Sequence, residues 1–134
     1  MTVPQDLLEA ARAAQALAYS PYSNFRVGAA IRLASGEVFR GCNLENASYG
    51  ATICAERGAI CAATAALGKI EIVEILVISD GEPPWPPCGM CRQVLAEFVV
   101  PNCPLWCVNQ HGAAISQPFE AIFPRAFDGS FLTQ

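Results

Sequence analysis

The chain is short of charge. Asp, Glu, Lys and Arg make up 15% of its 134 residues, against 53% hydrophobic, and the net charge is -4. The eight Lys and Arg residues are scattered, with no basic stripe to neutralise phosphates. That argues against a nucleic-acid partner and for a small neutral one. No stretch reaches the roughly twenty apolar residues that span a bilayer, so no membrane segment is expected. The N-terminus lacks a basic stretch followed by an apolar run, and it does not read as a secretory signal. Cysteine, in contrast, is plentiful. Seven of them, an odd count, without a signal read as reduced thiols in a cytoplasmic protein rather than as a disulfide framework.

The length suits one domain, residues 1–134, with one core. So high an apolar content is more than a small domain hides by itself, and this favours apolar surface buried between subunits.

Apolar residues at Leu7, Leu8, Ala11, Ala14, Leu17 and Ala18 predict a helix over Val3 to Ala18, stopped by Ser20-Pro21-Tyr22-Ser23-Asn24. Strands are expected at Arg26 to Leu33 and Val38 to Asn43, joined by a turn at Ala34-Ser35-Gly36-Glu37. Asn46 to Thr52 reads as a loop. A second helix is expected from near Cys54 to Leu67, ended by Gly68. Ile72 to Ile78 has the continuous apolar character of a buried central strand. Asp80 to Pro87, with four prolines, is a loop, and a third helix is expected from Cys88 to about Val99. Strands at Leu105 to Asn109 and Ala113 to Ser116 flank a turn at His111-Gly112, and a terminal helix is expected near Phe119. This order predicts an α/β fold, a mixed sheet with helices packed on its faces.

Two cysteine motifs, Cys54-Ala55-Glu56-Arg57 and Pro87-Cys88-Gly89-Met90-Cys91, each open a predicted helix after a strand and loop. Zinc binds thiolates, and the N–H groups and dipole of a helix N-terminus favour the thiolate. Cys88 and Cys91, three apart, share a helix face and can grip one ion. If Cys54 points at the same place, three sulfurs hold the metal and leave a fourth position open, as a catalytic zinc requires. Water there becomes acidic near neutral pH. Glu56, next but one to a ligand, is placed to take its proton and pass it on. Arg57, on the Cys54 face, can offset the excess negative charge by donating to the sulfurs. Cys or His, any residue, Glu, then Pro-Cys-x-x-Cys further on, is the general signature of zinc deaminases.

Three further segments make the resemblance specific. Tyr19-Ser20-Pro21-Tyr22-Ser23-Asn24-Phe25 with Val27-Gly28-Ala29-Ala30, Gly41-Cys42-Asn43-Leu44-Glu45-Asn46-Ala47-Ser48-Tyr49, and Pro124-Arg125-Ala126-Phe127 stand in order around the two metal motifs. Together the five segments, the second metal motif extended through Arg92-Gln93, resemble the small cytidine deaminases with three cysteine ligands. The resemblance implies a three-layer α/β/α sandwich with a mixed sheet of about five strands. It implies one zinc per chain and hydrolytic deamination of cytidine or 2'-deoxycytidine in pyrimidine salvage. It also implies a homotetramer with sites shared between subunits. Asn43 and Glu45 would hold the ribose hydroxyls, as residues two apart on a strand point the same way. Phe25 would pack against the base, Ala55 would offer it backbone groups, and Phe127 of a neighbouring subunit would close the pocket. Tyr49 is placed with the substrate, and Arg57 and Gln93 behind the metal and pocket. The chain departs from the family in its proline-rich Gly81 to Pro87 segment and in Ile122-Phe123, where two leucines are common.

Other readings remain beside this one. The same fold could act on another aminopyrimidine nucleoside, such as a nucleoside antibiotic. A purely structural zinc would need a fourth ligand, and the only His, His111, lies far down the chain. A thioredoxin-like reading of Trp85-Pro86-Pro87-Cys88-Gly89-Met90-Cys91 leaves Cys54 and Glu56 without roles. Cys42, Cys61, Cys103 and Cys107 are expected in the core rather than on a metal.

Overall fold

A computed structural model describes residues 2–133. The first helix, α1 (Gln5–Gln15), starts after Pro4, whose fixed φ of -65° suits a helix entrance, and carries Asp6 in its first turn. Leu7, Ala11 and Ala14 form its buried stripe. The helix is shorter than expected at both ends, and Leu17 lies exposed beyond it. The chain there leaves the helix to make a backbone bridge from Tyr19 to Leu44.

Strands β1 (Gly28–Leu33) and β2 (Val38–Cys42) form an antiparallel hairpin. The next helix, α2 (Ala55–Leu67), is capped by Cys54 and ends at Gly68, whose φ of 78° side chains rarely adopt. β3 (Ile72–Ser79) follows, then α3 (Gly89–Ala96), β4 (Pro104–Asn109) and β5 (Ala114–Pro118). The sheet order is β2-β1-β3-β4-β5, with β3 and β4 parallel and every other pair antiparallel.

The alternation along β3 separates the layers. Leu76 and Ile78 face α1, packing with Leu7, Ala11, Trp106 and Val108. Ile75 and Val77 face the other way, into a core with Ala59, Ile60 and Leu95 from α2 and α3. Each fully buried Leu or Ile contributes about 2–3 kcal/mol. The result is the expected three-layer α/β/α arrangement on a mixed sheet of five strands.

α2 is rich in alanine on its buried face, and the facing strand has Gly41 beneath it. A Cβ on Gly41 would fall 2.3 Å from the Ala59 nitrogen and 2.4 Å from the Ala55 oxygen. Gly28 does the same for α1, where a Cβ would fall 2.0 Å from the Ala11 oxygen.

Three expectations are corrected. The segment at Phe119 forms a 3-10 turn (Phe119–Ala121), with another at Gly129–Thr133, because Pro118 and Pro124 leave too little chain for an α-helix. α3 stops at Ala96 rather than Val99, and Val99 instead bridges to Ile72. Cys103 and Cys107 are core residues and Cys42 is half-buried, but Cys61 is exposed, on the solvent side of α2.

Candidate metal centre and active site

The parallel pair β3–β4 ends on the side where α2 and α3 begin, the usual location of sites in open α/β sheets. Cys54 and Cys88 are the capping residues of α2 and α3, and Cys91 sits in the first turn of α3. Both helix N-termini therefore aim their free N–H groups at one spot. The three sulfurs lie within 4.8 Å of one another, and Cys54 Sγ and Cys88 Sγ are 3.9 Å apart. Tetrahedral zinc with bonds of about 2.3 Å needs sulfurs about 3.8 Å apart, so the donor set fits zinc in both element and spacing. Among the described residues this is the one such group, and His111 is not part of it.

Arg57 lies alongside. Its Nη2 donates to the Thr52 carbonyl at 3.2 Å and to Cys54 Sγ at 3.6 Å, while its buried Nε has no partner. The Cys91 thiol donates toward Cys54, and this, helped by Arg57 against the effect of burial, lowers the Cys54 pKa to about 5. Cys91 is pushed upward in exchange, first by that hydrogen bond and then by burial.

Glu56 is 3% exposed, at the start of α2. Burial raises its pKa to about 7, and the Cys54 charge adds to the effect. A dication at the sulfurs would act in the opposite sense.

Two cavities meet at Thr52. The inner one, about 210 Å³, is bounded by Thr52, Cys54, Ala55 and Glu56 on the α2 side and by Trp85, Pro86 and Cys88 on the α3 side. Val27, Asn43, Val77 and Ser79 complete it. The outer one, about 400 Å³, is lined by Tyr22, Ser23, Glu45, Asn46, Tyr49 and Thr52.

The expected substrate residues are divided between these spaces. β2 ends at Cys42, so Asn43 and Glu45 lie beyond the strand, on either side of Leu44, which bridges to Tyr19 and Ile53. Asn43 lines the inner cavity; its Oδ1 accepts from the Val27 N–H at 2.9 Å and its Nδ2 donates to the Phe25 carbonyl at 2.8 Å. Glu45 lines the outer cavity and accepts from the Tyr22 N–H at 2.9 Å, the Ser23 N–H at 3.2 Å and the Ser23 hydroxyl. The Ser23 hydroxyl is the main reason its pKa is lowered. Tyr49 is 76% exposed and meets Tyr22 edge-on.

Phe25 is half exposed, its ring edge-on to Trp85 at 5.2 Å and 75°. Trp85, rather than Phe25, is the aromatic residue that lines the inner cavity. Sequence reasoning placed Trp85 in a loop and weighed it only in the thioredoxin-like reading, not as a pocket residue; its position next to Pro86-Pro87-Cys88 was the available signal. Phe127, 55% exposed, stacks on Phe131 outside both cavities of its own chain, and its carbonyl accepts from Gln93 Nε2 at 2.9 Å.

Residues 1–107 match the family model described as the cytidine and deoxycytidylate deaminase zinc-binding region. The chain belongs to this family. It is 43% identical over 123 residues to a cytidine deaminase of Halalkalibacterium halodurans, covering 92% of each chain. It is 38% identical to one of Sporosarcina psychrophila, covering 92% of this chain and 90% of that one. The crystal structure of a Burkholderia pseudomallei cytidine deaminase superimposes with a TM-score of 0.87 at 42% identity, over 94% of this chain and all of the other. As the family's zinc-binding region and the three-sulfur group together require, the chain carries one zinc site.

Proposed function

We propose that the chain is a zinc-dependent hydrolase that converts cytidine or 2'-deoxycytidine to the uridine product and ammonia. The observation that carries this is the placement of buried Glu56 in one small cavity with Cys54 and Cys88, on the sulfur group that Cys91 completes. Cys54, Cys88 and Cys91 would hold the zinc, which would supply acidified water as the nucleophile for C4 of the base. Glu56 is placed to take a proton from the attacking water and give it to N3, then to take the proton of the new C4 hydroxyl and deliver it to the amine as the C4–N bond breaks and the carbonyl forms. Arg57 offsets the thiolate charge, with its hydrogen bond to the Thr52 carbonyl orienting the guanidinium toward Cys54.

Support for a nucleoside substrate comes from the second cavity, which shares Thr52 with the first and adds the Glu45 carboxylate, Asn46 and two tyrosines. Asn43 and Glu45 hold the ribose from these adjoining walls, and Ala55 presents backbone groups to the base. Phe25 backs the base through Trp85, Tyr49 borders the sugar, and Gln93 fixes the Phe127 segment. Residues 1–134 act as one catalytic domain in the cytoplasm, serving pyrimidine salvage. Half-exposed Phe25, Phe127 and Phe131, with the high apolar content, support a homotetramer in which Phe127 reaches a neighbour's pocket. Among the described residues no helix is long and apolar enough to cross a membrane.

The test is the loss of cytidine ultraviolet absorbance on incubation with the zinc-loaded protein. Glu56→Gln should keep its zinc and lose at least about a thousandfold in turnover. Substantial residual activity would remove Glu56 from the proton transfers.

A further inference from the structure

The inner cavity has two unlike walls. One is the start of α2, with Ala55 and Glu56; the other is the loop entering α3, whose one large lining side chain is Trp85. The two walls face the base differently. If Glu56 exchanges a proton with N3 and C4 lies at the sulfurs, the N3 edge is turned to the α2 wall. C5 is the other ring neighbour of C4, so it is turned to the loop wall. We propose that Trp85 sets the size limit for substituents at C5 of the pyrimidine, a property that rests on the deaminase reading and goes beyond it.

The wall is braced as well as bulky. The indole lies directly on Gly81, where a Cβ would come within 2.3 Å of its Cδ1 and Nε1. Phe25 braces it edge-on. Gly81 is itself tied down. Its N–H donates to Ser79 Oγ at 3.2 Å, and its carbonyl accepts from Asn109 Nδ2 at 3.0 Å. Asn109 is fully buried, and its Oδ1 accepts from the His111 and Ala113 N–H groups, so the β4–β5 hairpin anchors the loop. Contacts on two sides hold this ring in place although it is 40% exposed, and crowding a packed site by a methyl or more costs about tenfold in rate.

The experiment compares kcat/KM of the zinc-loaded enzyme for cytidine and for its 5-fluoro, 5-methyl, 5-bromo and 5-iodo derivatives. Methyl and bromine are close in size and opposite in electronic effect, so a steric wall penalises both. Wild type should accept fluorine, lose at least about tenfold at methyl and at bromine, and lose more at iodine. Trp85→Val should bring the methyl-to-cytidine and bromo-to-cytidine ratios at least about tenfold closer to one, whatever its own rate on cytidine, with an unchanged zinc content as the check that the metal group is intact. Trp85→Phe, a milder change that keeps the aromatic contact with Phe25, should fall between. Wild-type turnover of 5-iodocytidine on a par with cytidine overturns the proposal without any variant, as does a ratio unchanged in Trp85→Val. Neither result touches the deaminase reading, which fails only if cytidine itself is not turned over.

Discussion

The two cavities that meet at Thr52 are built on different terms. The inner one is assembled from helix starts and strand ends, and its carboxyl and amide groups, Glu56 and Asn43, are buried, while Cys54 is half-buried and Cys88 exposed at its edge. The outer one is made of loop, and its aromatic lining stays open, with Tyr22 and Tyr49 resting on each other at the surface. The outer cavity leaves its rings half covered. The inner cavity is thus framed by the starts of two helices, while the outer one rests on loop segments whose rings stay open to solvent.

Removing an inner-cavity group should therefore be severe and specific. Cys88→Ala deletes one of three sulfurs and should lower zinc affinity by at least about a hundredfold, with turnover falling alongside. Metal analysis after gel filtration, with far-ultraviolet circular dichroism as the check on folding, reads this directly. A metal-replete, active variant would mean that Cys54 and Cys91 suffice, and the two-helix design of the site would fall.

An outer-cavity change should act on binding rather than on chemistry. Glu45→Gln keeps the shape and weakens charge-assisted bonds, so kcat/KM should drop by about ten- to a hundredfold, mostly through KM, at unchanged zinc content. A fall in kcat with KM constant would place Glu45 on the wrong side of the comparison. The smallest effect belongs to Tyr49→Ala. At so exposed a position folding stability should stay within about 0.5 kcal/mol by urea denaturation, while KM for the nucleoside rises. A large loss of stability would show that the outer rim is part of the core after all.

Much of this was readable from residue order, for physical reasons. Helical and strand periods placed every α-helix and strand to within a few residues except at the C-terminus. There Phe119, Ile122 and Phe123 offered a helical pattern that the flanking prolines cut short. The metal group was legible because three-residue spacing on a helix and a cysteine at a helix start both constrain where sulfur points. Asn43 and Glu45 were read as neighbours on one strand face. The strand ends first, and the bridges made by Leu44 send them to separate spaces. Trp85 was missed because a proline-rich loop has no period, so sequence says nothing about which way its side chains turn. Cys61 was assigned to the core by residue type, yet helix phase puts it on the solvent side.

Gly41 has a consequence for how this site can be altered. Because α2 rests on the bare backbone there, the missing methyl group sets how deep Cys54 and Glu56 stand above the sheet. Helix backbone cannot rotate out of the way as a side chain can. The width of the pocket is open to change through Trp85, and the character of its mouth through Glu45. Its depth is fixed by hydrogen in place of carbon at a single position, and a shallower or deeper deaminase of this kind would need a different hairpin beneath it.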